Sequence, residues 1–541
     1  MKLKFIIIIA IIAIVTVCCR TSIPDNARYE PNRPIFNPDV ADITIPVNIA
    51  PINFTVEDTL LQKAVVEVTA SCGLEKPYII SAGKSGLIQF PLKLWKHLLS
   101  QNTCLTIRVF VKHPTEWIEY PAFHYYISPD SIDPYISYRL IEPSYQMSNL
   151  LTTEERCLEN FDRRNLYDNK LNEYACVNCH TYDRSDPNRI VFHLRFTQQG
   201  TYISTGDGHL KRINLVSKRF PQGGIYPAWH PSGKYIAFST NIAIPFVHSV
   251  DIVRRTEVFD SVGDLIIYDI NKNVIITDSA VSREDIEETF PHFTPDGTRL
   301  FYCRSITPQM EEFEKYDFVS YSKKIRYSLA SIDFDTAKGA FVKGSVRIWV
   351  DGQKLGKTVS IPRVSPDGKY LVFCLSDHGT FPIRHPESDL YMIDLQEVAK
   401  NEVLKQGSYA EPYPHETKTV YVRTPDGSLS DVVYKPLCCG VNDTTSTESY
   451  HSWSKNSRWL MFSSKREDGL YSRPFFTYVD ADGNNTKPFK LPQKDPVNFY
   501  LLLFKSLNVP EFISERANIT DKETAKAGKQ KVVSPEKIIV Y

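Results

Sequence analysis

Short runs of alternating apolar and polar residues, separated by turn residues, recur along the second half of the chain. Four runs share one outline, in which an aromatic or apolar residue precedes a Pro-Asp-Gly-like turn and an aromatic-aliphatic strand follows. These are YPAWHPSGKYIAFSTN (226–241), TFPHFTPDGTRLFYCRS (289–305), SIPRVSPDGKYLVFCLS (360–376) and YHSWSKNSRWLMFSSK (450–465). Alternation with a period of two is typical of half-buried strands, so each run predicts a β-hairpin.

Further strands follow these hairpins and complete larger units. Three stretches end a strand at an Asp-containing turn, namely DLIIYDINKNVIIT (264–277), DLYMIDLQEV (389–398) and FFTYVDADGNNTKPF (475–489), and a weaker unit, FHLRFTQQGTYISTGDGHLKRINL (192–215), comes first. No single unit can bury both faces of its sheet, so the units must stack around an axis. The pattern predicts an all-β protein with a six-bladed β-propeller over 187–495, in which 408–436 supplies further strands.

The first third of the chain has a different pattern. Strand-like runs at 45–58, 64–71, 87–95 and 104–113 predict a small β-sandwich-like domain over 43–140. The stretch NLLTTEERCLENFDRRNLYDNK (149–170) carries a Thr-x-x-Glu capping signal and apolar residues at helical spacing. It predicts a short helical connector over 141–186. We expect the C-terminal tail, 496–541, to be partly dispensable. Its end, TDKETAKAGKQKVVSPEK (520–537), is charged and weakly apolar, so we expect this end to be disordered.

The N-terminus has the features of an export signal. A basic MKLK precedes the apolar FIIIIAIIAIVTV, and Cys18 and Cys19 follow at once. This pattern predicts a signal peptide over 1–19 of the lipoprotein type, with Cys19 (or Cys18) as the lipidated residue, and a flexible linker over 20–42. Plain secretion and an uncleaved anchor are the alternatives. All three place the body outside the cytoplasm. We expect it in the cell envelope, lipid-anchored in the periplasm or at the outer membrane.

Composition narrows the function classes. Lys plus Arg and Asp plus Glu are equal, at 63 each, so no basic field attracts nucleic acid. An aromatic content of 12% together with 35 Pro suits many short strands joined by turns. No acid-base pair or nucleophile motif is identifiable, so the sequence does not indicate an enzyme.

The stretch CVNCHTY (176–182) is the strongest chemical signal in the chain. With 11 Cys and 13 His in 541 residues, chance predicts only about 0.005 matches to C-x-x-C-H, the attachment pattern of c-type haem. In this interpretation Cys176 and Cys179 form thioethers to haem c, and His180 is the proximal iron ligand. Met147 and His193 are candidates for a sixth ligand, and five-coordinate iron is also possible.

Two other interpretations of these cysteines stay open. Exported proteins form disulfides, so Cys176 and Cys179 could pair with each other and leave His180 without a metal. Each could also pair elsewhere, for example with the nearby Cys157.

The repeats resemble the WD40-like repeats of TolB-type β-propellers, and the segments WHPSGKYIAFS, TPDGTRLFY and SPDGKYLVF carry the resemblance over about 187–495. The whole order of export signal, sandwich, C-x-x-C-H connector and propeller resembles a group of bacterial envelope proteins described as TolB-like and cytochrome-c-related. The resemblance implies a propeller and an envelope location.

Two functions are consistent with these features. The first is a membrane-tethered propeller that binds an envelope protein or another ligand through its blade-end loops. The second is an electron-transfer cytochrome, in which the propeller docks a redox partner and haem c carries the electron.

Overall fold

A computed structural model describes residues 23–71, 76–143, 150–247, 256–260, 262–306, 322–406 and 417–541. The signal predicted over 1–19, with Cys18 and Cys19, lies outside these ranges. The chain divides into two compact units, Met1–Ser131 with Pro492–Leu503 and Ile132–Leu491 with Phe504–Tyr541. None of the helices within the described ranges has the length and apolar character of a membrane span.

Where the structure describes the first unit, it contains two sheets and two helices. Its larger sheet has seven strands, Ala27–Tyr29, Ile43–Pro46, Lys63–Ala70, Tyr78–Ala82, Cys104–Lys112, Trp117–Glu119 and Phe123–Ser128. The smaller sheet has three strands and the helices are short: Ile35–Asn37, Phe54–Glu57, Leu87–Ile88, then Leu92–Gln101 and Pro496–Leu503. Phe123 of the larger sheet contacts Phe36 and Phe54 of the smaller sheet, with ring centroids 5.0 and 5.9 Å apart.

This unit differs in extent from the sandwich predicted over 43–140. Two of its strands, Ala27–Tyr29 and Ile35–Asn37, lie in the segment predicted as a flexible linker. The predicted strand 87–95 gives way at Leu92 to a helix, whose buried Trp95 donates its indole N–H to the Ile49 carbonyl over 2.9 Å. Helical spacing of Trp95, Leu98 and Leu99 on one buried face explains the change.

The described residues of the second unit form six sheets, which we number 1 to 6 along the chain. Each sheet has four antiparallel strands, which are given from the innermost outward, and sheets 3 and 4 each gain a strand in parallel at the fourth. Sheet 1 is Ser506–Ile513, Tyr135–Ile141, Thr152–Cys157 and Arg163–Asp168; sheet 2 is Cys176–Asp183, Asp186–Arg195, Gly200–Ile203 and Lys211–Ile213; sheet 3 is Ile225–Trp229, Tyr235–Ser239, Leu265–Asp269 and Val274–Thr277, with Ile538–Val540 in parallel at its outer edge.

Sheets 4 to 6 follow the same plan. Sheet 4 is Ile286–Phe293, Arg299–Ile306, Ser328–Asp335 and Arg347–Val350, joined by Ala340–Phe341, Lys418–Arg423, Glu402–Gln406 and Leu429–Asp431; sheet 5 is Thr358–Val364, Tyr370–Ser376, Asp389–Asp394 and Lys435–Pro436; sheet 6 is Glu448–Trp453, Trp459–Ser464, Arg473–Tyr478 and Phe489–Lys490. A hairpin, Ala243–Val247 with Thr256–Asp260, and the short helices Asn169–Asn172, Gly352–Leu355, Pro382–Arg384, Leu395–Asn401 and Asp521–Gly528 complete the unit.

Successive inner strands of these sheets contact one another in a closed cycle. Ser506–Ile513 completes the cycle between Cys176–Asp183 and Glu448–Trp453. The prediction of an all-β propeller is confirmed. Six blades stay a prediction, which the six inner strands among the described residues support.

The predicted helical connector is wrong, because its residues form strands. Thr152–Cys157 and Arg163–Asp168 are strands of sheet 1, and one short turn of 3₁₀ helix at Asn169–Asn172 follows them. Thr152–Cys157 lies between two partner strands. Hydrogen bonding to strands on both edges outweighs the local helix-capping signal, because tertiary contacts routinely override intrinsic helix propensity.

The expectation of a disordered end of the tail is also wrong, because Asp521–Gly528 forms a helix. Partial dispensability of the tail stays a prediction. Its strand Ser506–Ile513 pairs with Tyr135–Ile141 and thereby joins the end of the chain to its first propeller strands. Beyond this strand, the Ala517 backbone N–H donates to the buried Glu155 carboxylate, which also forms an ion pair with Arg164 at 2.9 Å. The charges in the tail therefore serve contacts and caps within the fold.

Ring closure leads to a first prediction. A stop codon after Leu503 removes the inner strand of sheet 1, so the second unit should lose its cooperative thermal transition, measured by calorimetry and near-ultraviolet circular dichroism. A stop after Lys537 is the matched control. It removes only the edge strand Ile538–Val540 and should lower Tm by a few degrees. A sharp transition of wild-type size in the shorter protein would contradict closure by this strand.

Candidate functional site

Each inner strand carries the same irregularity. At one point two residues of the inner strand bulge out of register with the neighbouring strand. The first residue of each bulge has a positive φ between 39° and 53°: Cys179, Tyr226, Phe290, Ile361, Tyr450 and Val509. The residue after it is Pro in four sheets and His in two: Pro227, Pro291, Pro362 and Pro510, against His180 and His451. We call the six residues with positive φ the bulge residues, and the Pro or His residues that follow them the post-bulge residues.

The C-x-x-C-H stretch is thus the inner strand of sheet 2. Cys179 is its bulge residue, and His180 stands where the other sheets have Pro or His. An aromatic or aliphatic residue follows two positions after the post-bulge residue in every sheet, as Tyr182 does here and Trp229 does in sheet 3. The residues that suggest haem attachment therefore match the propeller repeat position by position.

The surroundings of His180 do not fit a haem. Its side chain is buried and, with Val177, Tyr182 and Phe192, lines a cavity of about 20 Å³ between sheets 1 and 2. A cavity of this volume holds about one water molecule. Pockets for ligands larger than water have volumes of roughly 300–1,000 Å³. Burial lowers the pKa of His180 to about 4, so the ring is neutral. Its Nε2 has no hydrogen-bond partner within the described residues.

The other predicted heme-site residues are not gathered at this cavity. Cys176 and Cys179 are free, half-buried thiols, and burial raises the pKa of Cys179. The buried His193 lies on the second strand of sheet 2, with Nδ1 3.4 Å from Thr201 Oγ1, and Met147 lies outside the described residues. Cys157 is a free, buried thiol of sheet 1. Haem attachment stays a prediction, and this geometry favours a structural role for the strand.

Polar side chains meet on the inner side of the ring, one residue beyond the post-bulge positions. Glu511 of sheet 1 accepts a hydrogen bond from the Tyr182 backbone N–H over 3.2 Å. Burial raises the pKa of Glu511 to about 7, although the charge of Arg363 in sheet 5 opposes that rise. Burial, together with the same Arg363, lowers the pKa of His292 in sheet 4 to about 3. Polar groups of sheets 1, 2, 4 and 5 therefore lie close enough around the ring axis to affect one another by hydrogen bonds or charge.

Inserts between the second and third strands of sheets 3 and 5 meet at one face of the ring, which we call the insert face. The insert of sheet 3 contains the hairpin ending at Asp260, whose backbone N–H donates to Thr380 Oγ1 in the insert of sheet 5 over 3.4 Å. Next to this contact, the Phe381 ring lies 6.1 Å from both Tyr226 and Phe290, two bulge residues. The inserts are therefore seated directly on the inner strands.

A cluster of titratable side chains lies where these inserts meet. His385, which is 2% exposed, has its Nε2 3.4 Å from Glu257 Oε2 and its Nδ1 3.3 Å from Glu387 Oε1. The ring of His378 lies 4.7 Å from that of His385, centroid to centroid. One ligand atom each of Glu257, His378 and His385 lies within 4.8 Å of the others. Gly379 makes this approach possible, because a Cβ there would lie 2.9 Å from His385 Nε2.

The protonation of the cluster follows from its burial and charges. Burial lowers the pKa of His385, but the carboxylates of Glu257 and Glu387 outweigh it and raise that pKa to about 9. Burial, with the neighbouring His385, lowers the pKa of His378 to about 4. Close by, burial raises the pKa of Asp260 to about 7 against a hydrogen bond from the Asn241 amide. A protonated imidazole, a neutral imidazole and carboxylates therefore lie next to one another in a poorly hydrated site.

No sequence motif indicates this cluster. His378 and His385 belong to HGTFPIRH, which has no recognised ligand spacing, and Glu257 is more than a hundred residues upstream. The available signal was indirect. The two inserts interrupt otherwise regular repeats, and long connections in a compact fold are commonly functional.

No model of a known protein family and no curated protein sequence matches the chain. Solved structures with a similar fold include the periplasmic gluconolactonase PpgL of Pseudomonas aeruginosa, at 12% identity and a TM-score of 0.24, covering 58% of this chain and 82% of that one. An oligogalacturonate lyase from Vibrio parahaemolyticus has 9% identity and a TM-score of 0.29, covering 64% of this chain and 92% of that one.

A third similar structure is prolyl oligopeptidase B from Galerina marginata, at 8% identity and a TM-score of 0.31, with 71% of this chain and 42% of that chain covered. These neighbours are propeller-like folds, in agreement with the sheet topology, and they do not support a link to cytochrome c. Identities and TM-scores this low carry no inference about substrate or chemistry.

The repeat position of His180 leads to a second prediction. His180→Pro should fold with a free energy of unfolding within about 1 kcal/mol of wild type, because four sheets already hold Pro there and a buried, unpartnered nitrogen is removed. Urea unfolding measures this. His180→Asp, which buries a charge at the same place, is the contrasting variant and should be strongly destabilised.

The mass and visible spectrum of wild-type protein made with cytochrome-maturation machinery complete this test. A mass without the increment of a covalently attached haem, together with the absence of a Soret band, is the expected result. Covalent haem that disappears in Cys176→Ala with Cys179→Ala would instead establish the cytochrome interpretation.

A third prediction concerns the buried Glu511. Its folded-state pKa of about 7 lies above its usual value, so its contribution to stability is present at low pH and is lost as pH rises through 7. Glu511→Gln should therefore match wild type near pH 4 and exceed it near pH 8 by up to about 3 kcal/mol. Urea unfolding at both pH values measures the difference, and a pH-independent difference would contradict the assignment.

Proposed function

We propose that this protein is an exported, membrane-tethered β-propeller of the cell envelope that binds a protein or other envelope ligand at its insert face. The observation that carries the proposal is the meeting of the inserts of sheets 3 and 5 over the bulge residues Tyr226 and Phe290. Propellers hold loops on a rigid ring, and binding residues concentrate on such loops.

The character of the insert face supports ligand binding. The aromatic rings of Tyr226, Phe290 and Phe381 contact one another, and burial, together with the charge of the buried Asp260, raises the pKa of Tyr226. Apolar surface with a few convergent polar groups is the usual composition of a ligand site. Groups with strongly shifted pKa values are also enriched at functional sites.

Tethering is the second part of the proposal. The basic and apolar start of the chain, ending at Cys18 and Cys19, supports export with lipid attachment at Cys19 (or Cys18). In this proposal Cys176, Cys179 and His180 are structural residues of the inner strand of sheet 2, and haem c has no part in binding.

Site-specific photocrosslinking in cells tests this proposal. A photoreactive phenylalanine derivative at the exposed Asp377, in the insert of sheet 5, should give discrete adducts in the membrane fraction. The matched control carries the same photoreactive derivative in place of Lys234. Lys234 is exposed on the turn between the first two strands of sheet 3, at the opposite face of the ring. Equal labelling from both positions, or none from Asp377, would contradict binding at the insert face.

The tether is tested with the same tagged protein. Replacing both Cys18 and Cys19 by Ser should move the protein out of the membrane fraction or block its maturation. Unchanged attachment with an intact N-terminus would favour an uncleaved anchor.

A further inference from the structure

The cluster of Glu257, His378 and His385 has the composition of a metal site. Two imidazoles and one carboxylate are a common protein ligand set for Zn²⁺ and other divalent first-row metals, and this set leaves a coordination position open. In the structure the three side chains come from two inserts and converge on one point. We propose that these three residues bind one divalent transition-metal ion of the zinc class.

The distances suit such an ion after small adjustments. Two ligand atoms that each lie about 2.1 Å from a metal are at most about 4.2 Å apart. The three candidate atoms lie within 4.8 Å of one another. Side-chain movements of less than an ångström would therefore bring all three ligand atoms within bonding distance of one ion. His385 Nε2, which faces Glu257, makes no hydrogen bond of good geometry with any described residue, so a metal ion that displaces its proton would break no such bond.

The surroundings of His385 give an independent reason. Metal-binding histidines commonly donate their second ring N–H to a carboxylate, which fixes the ring and strengthens its metal bond. Glu387 occupies this position, with Oε1 3.3 Å from His385 Nδ1. Glu257 and Glu387 together also carry the two negative charges that balance a buried divalent cation.

The alternative is a cluster without metal. A protonated His385 held between Glu257 and Glu387 would account for the two contacts of His385. It would not account for His378, whose ring lies against the same point and offers no carboxylate to a protonated His385. Metal binding explains the position of both rings.

The metal site deepens the proposed binding role of the insert face, and its test is separate from photocrosslinking. Full-length purified protein, treated with a chelator and dialysed, is titrated with ZnCl₂ by calorimetry. We expect saturable binding of one ion per chain. In the same protein, CoCl₂ should give the ligand-field bands of a four- or five-coordinate site, and excess ZnCl₂ should bleach them.

Variants assign the ligands. His378→Ala and Glu257→Gln should weaken Zn²⁺ binding by more than about 100-fold, because losing an outer-shell partner alone costs about 10- to 100-fold. Glu387→Gln should weaken it by about 10-fold. His209→Ala, which removes an exposed histidine of sheet 2, is the matched control and should bind as wild type does. Thermal melts confirm that each variant is folded.

Clear outcomes would overturn the proposal. It fails if the wild type shows no saturable one-to-one binding, or if folded His378→Ala and Glu257→Gln bind Zn²⁺ as tightly as wild type. A cobalt spectrum of a fully hydrated octahedral ion would also overturn it. Photocrosslinking from Asp377 is measured without added metal, so either result can fail while the other holds.

Discussion

The pairing of Ser506–Ile513 with Tyr135–Ile141 is the interaction on which the propeller unit depends. It places the end of the chain in the sheet that contains its first strands, and it completes the cycle of inner strands. Within this cycle six non-glycine residues hold a left-handed backbone, at a cost of about 1–2 kcal/mol each. Such conformations persist only where the surrounding structure over-determines them, and a closed ring provides that constraint. The bulges in turn place Tyr226 and Phe290 beneath the inserts.

Much of the fold could be predicted because the hairpin turns have local chemistry. Pro-Asp-Gly and Pro-Ser-Gly turns mark the inner hairpins of sheets 3, 4 and 5, and the structure has strands on both sides of each turn. Sheet 1 and the inner strand of sheet 2 were missed because they lack this signal, whereas the weaker unit at 192–215 corresponds to the outer strands of sheet 2. Sheet 2 turns at Arg184 and Ser185, both with positive φ, and the inner strand of sheet 1 is supplied from the far end of the chain.

The two candidate sites differ in the same way, because one consists of neighbouring residues in the sequence and the other of residues far apart in the sequence. The C-x-x-C-H pattern is local and therefore easy to read, yet His180 is the counterpart of Pro227 in the next sheet and its cavity holds about one water molecule. The histidine and glutamate cluster is assembled from two inserts, and no spacing along the chain connects Glu257 with His385. A pattern of residues predicts chemistry only together with the backbone that carries it.

Closure by the last strands also determines when the molecule can become complete. The contact between Glu155 and Ala517 joins residues that are 362 positions apart, so nearly the whole chain must be available before sheet 1 acquires its inner strand. Pairings this distant are slow to form. Until then the edge of Tyr135–Ile141 has open backbone groups that can pair with other chains. A nascent copy of this protein therefore has a period of aggregation risk, which ends only when its C-terminal strands have been made and have paired.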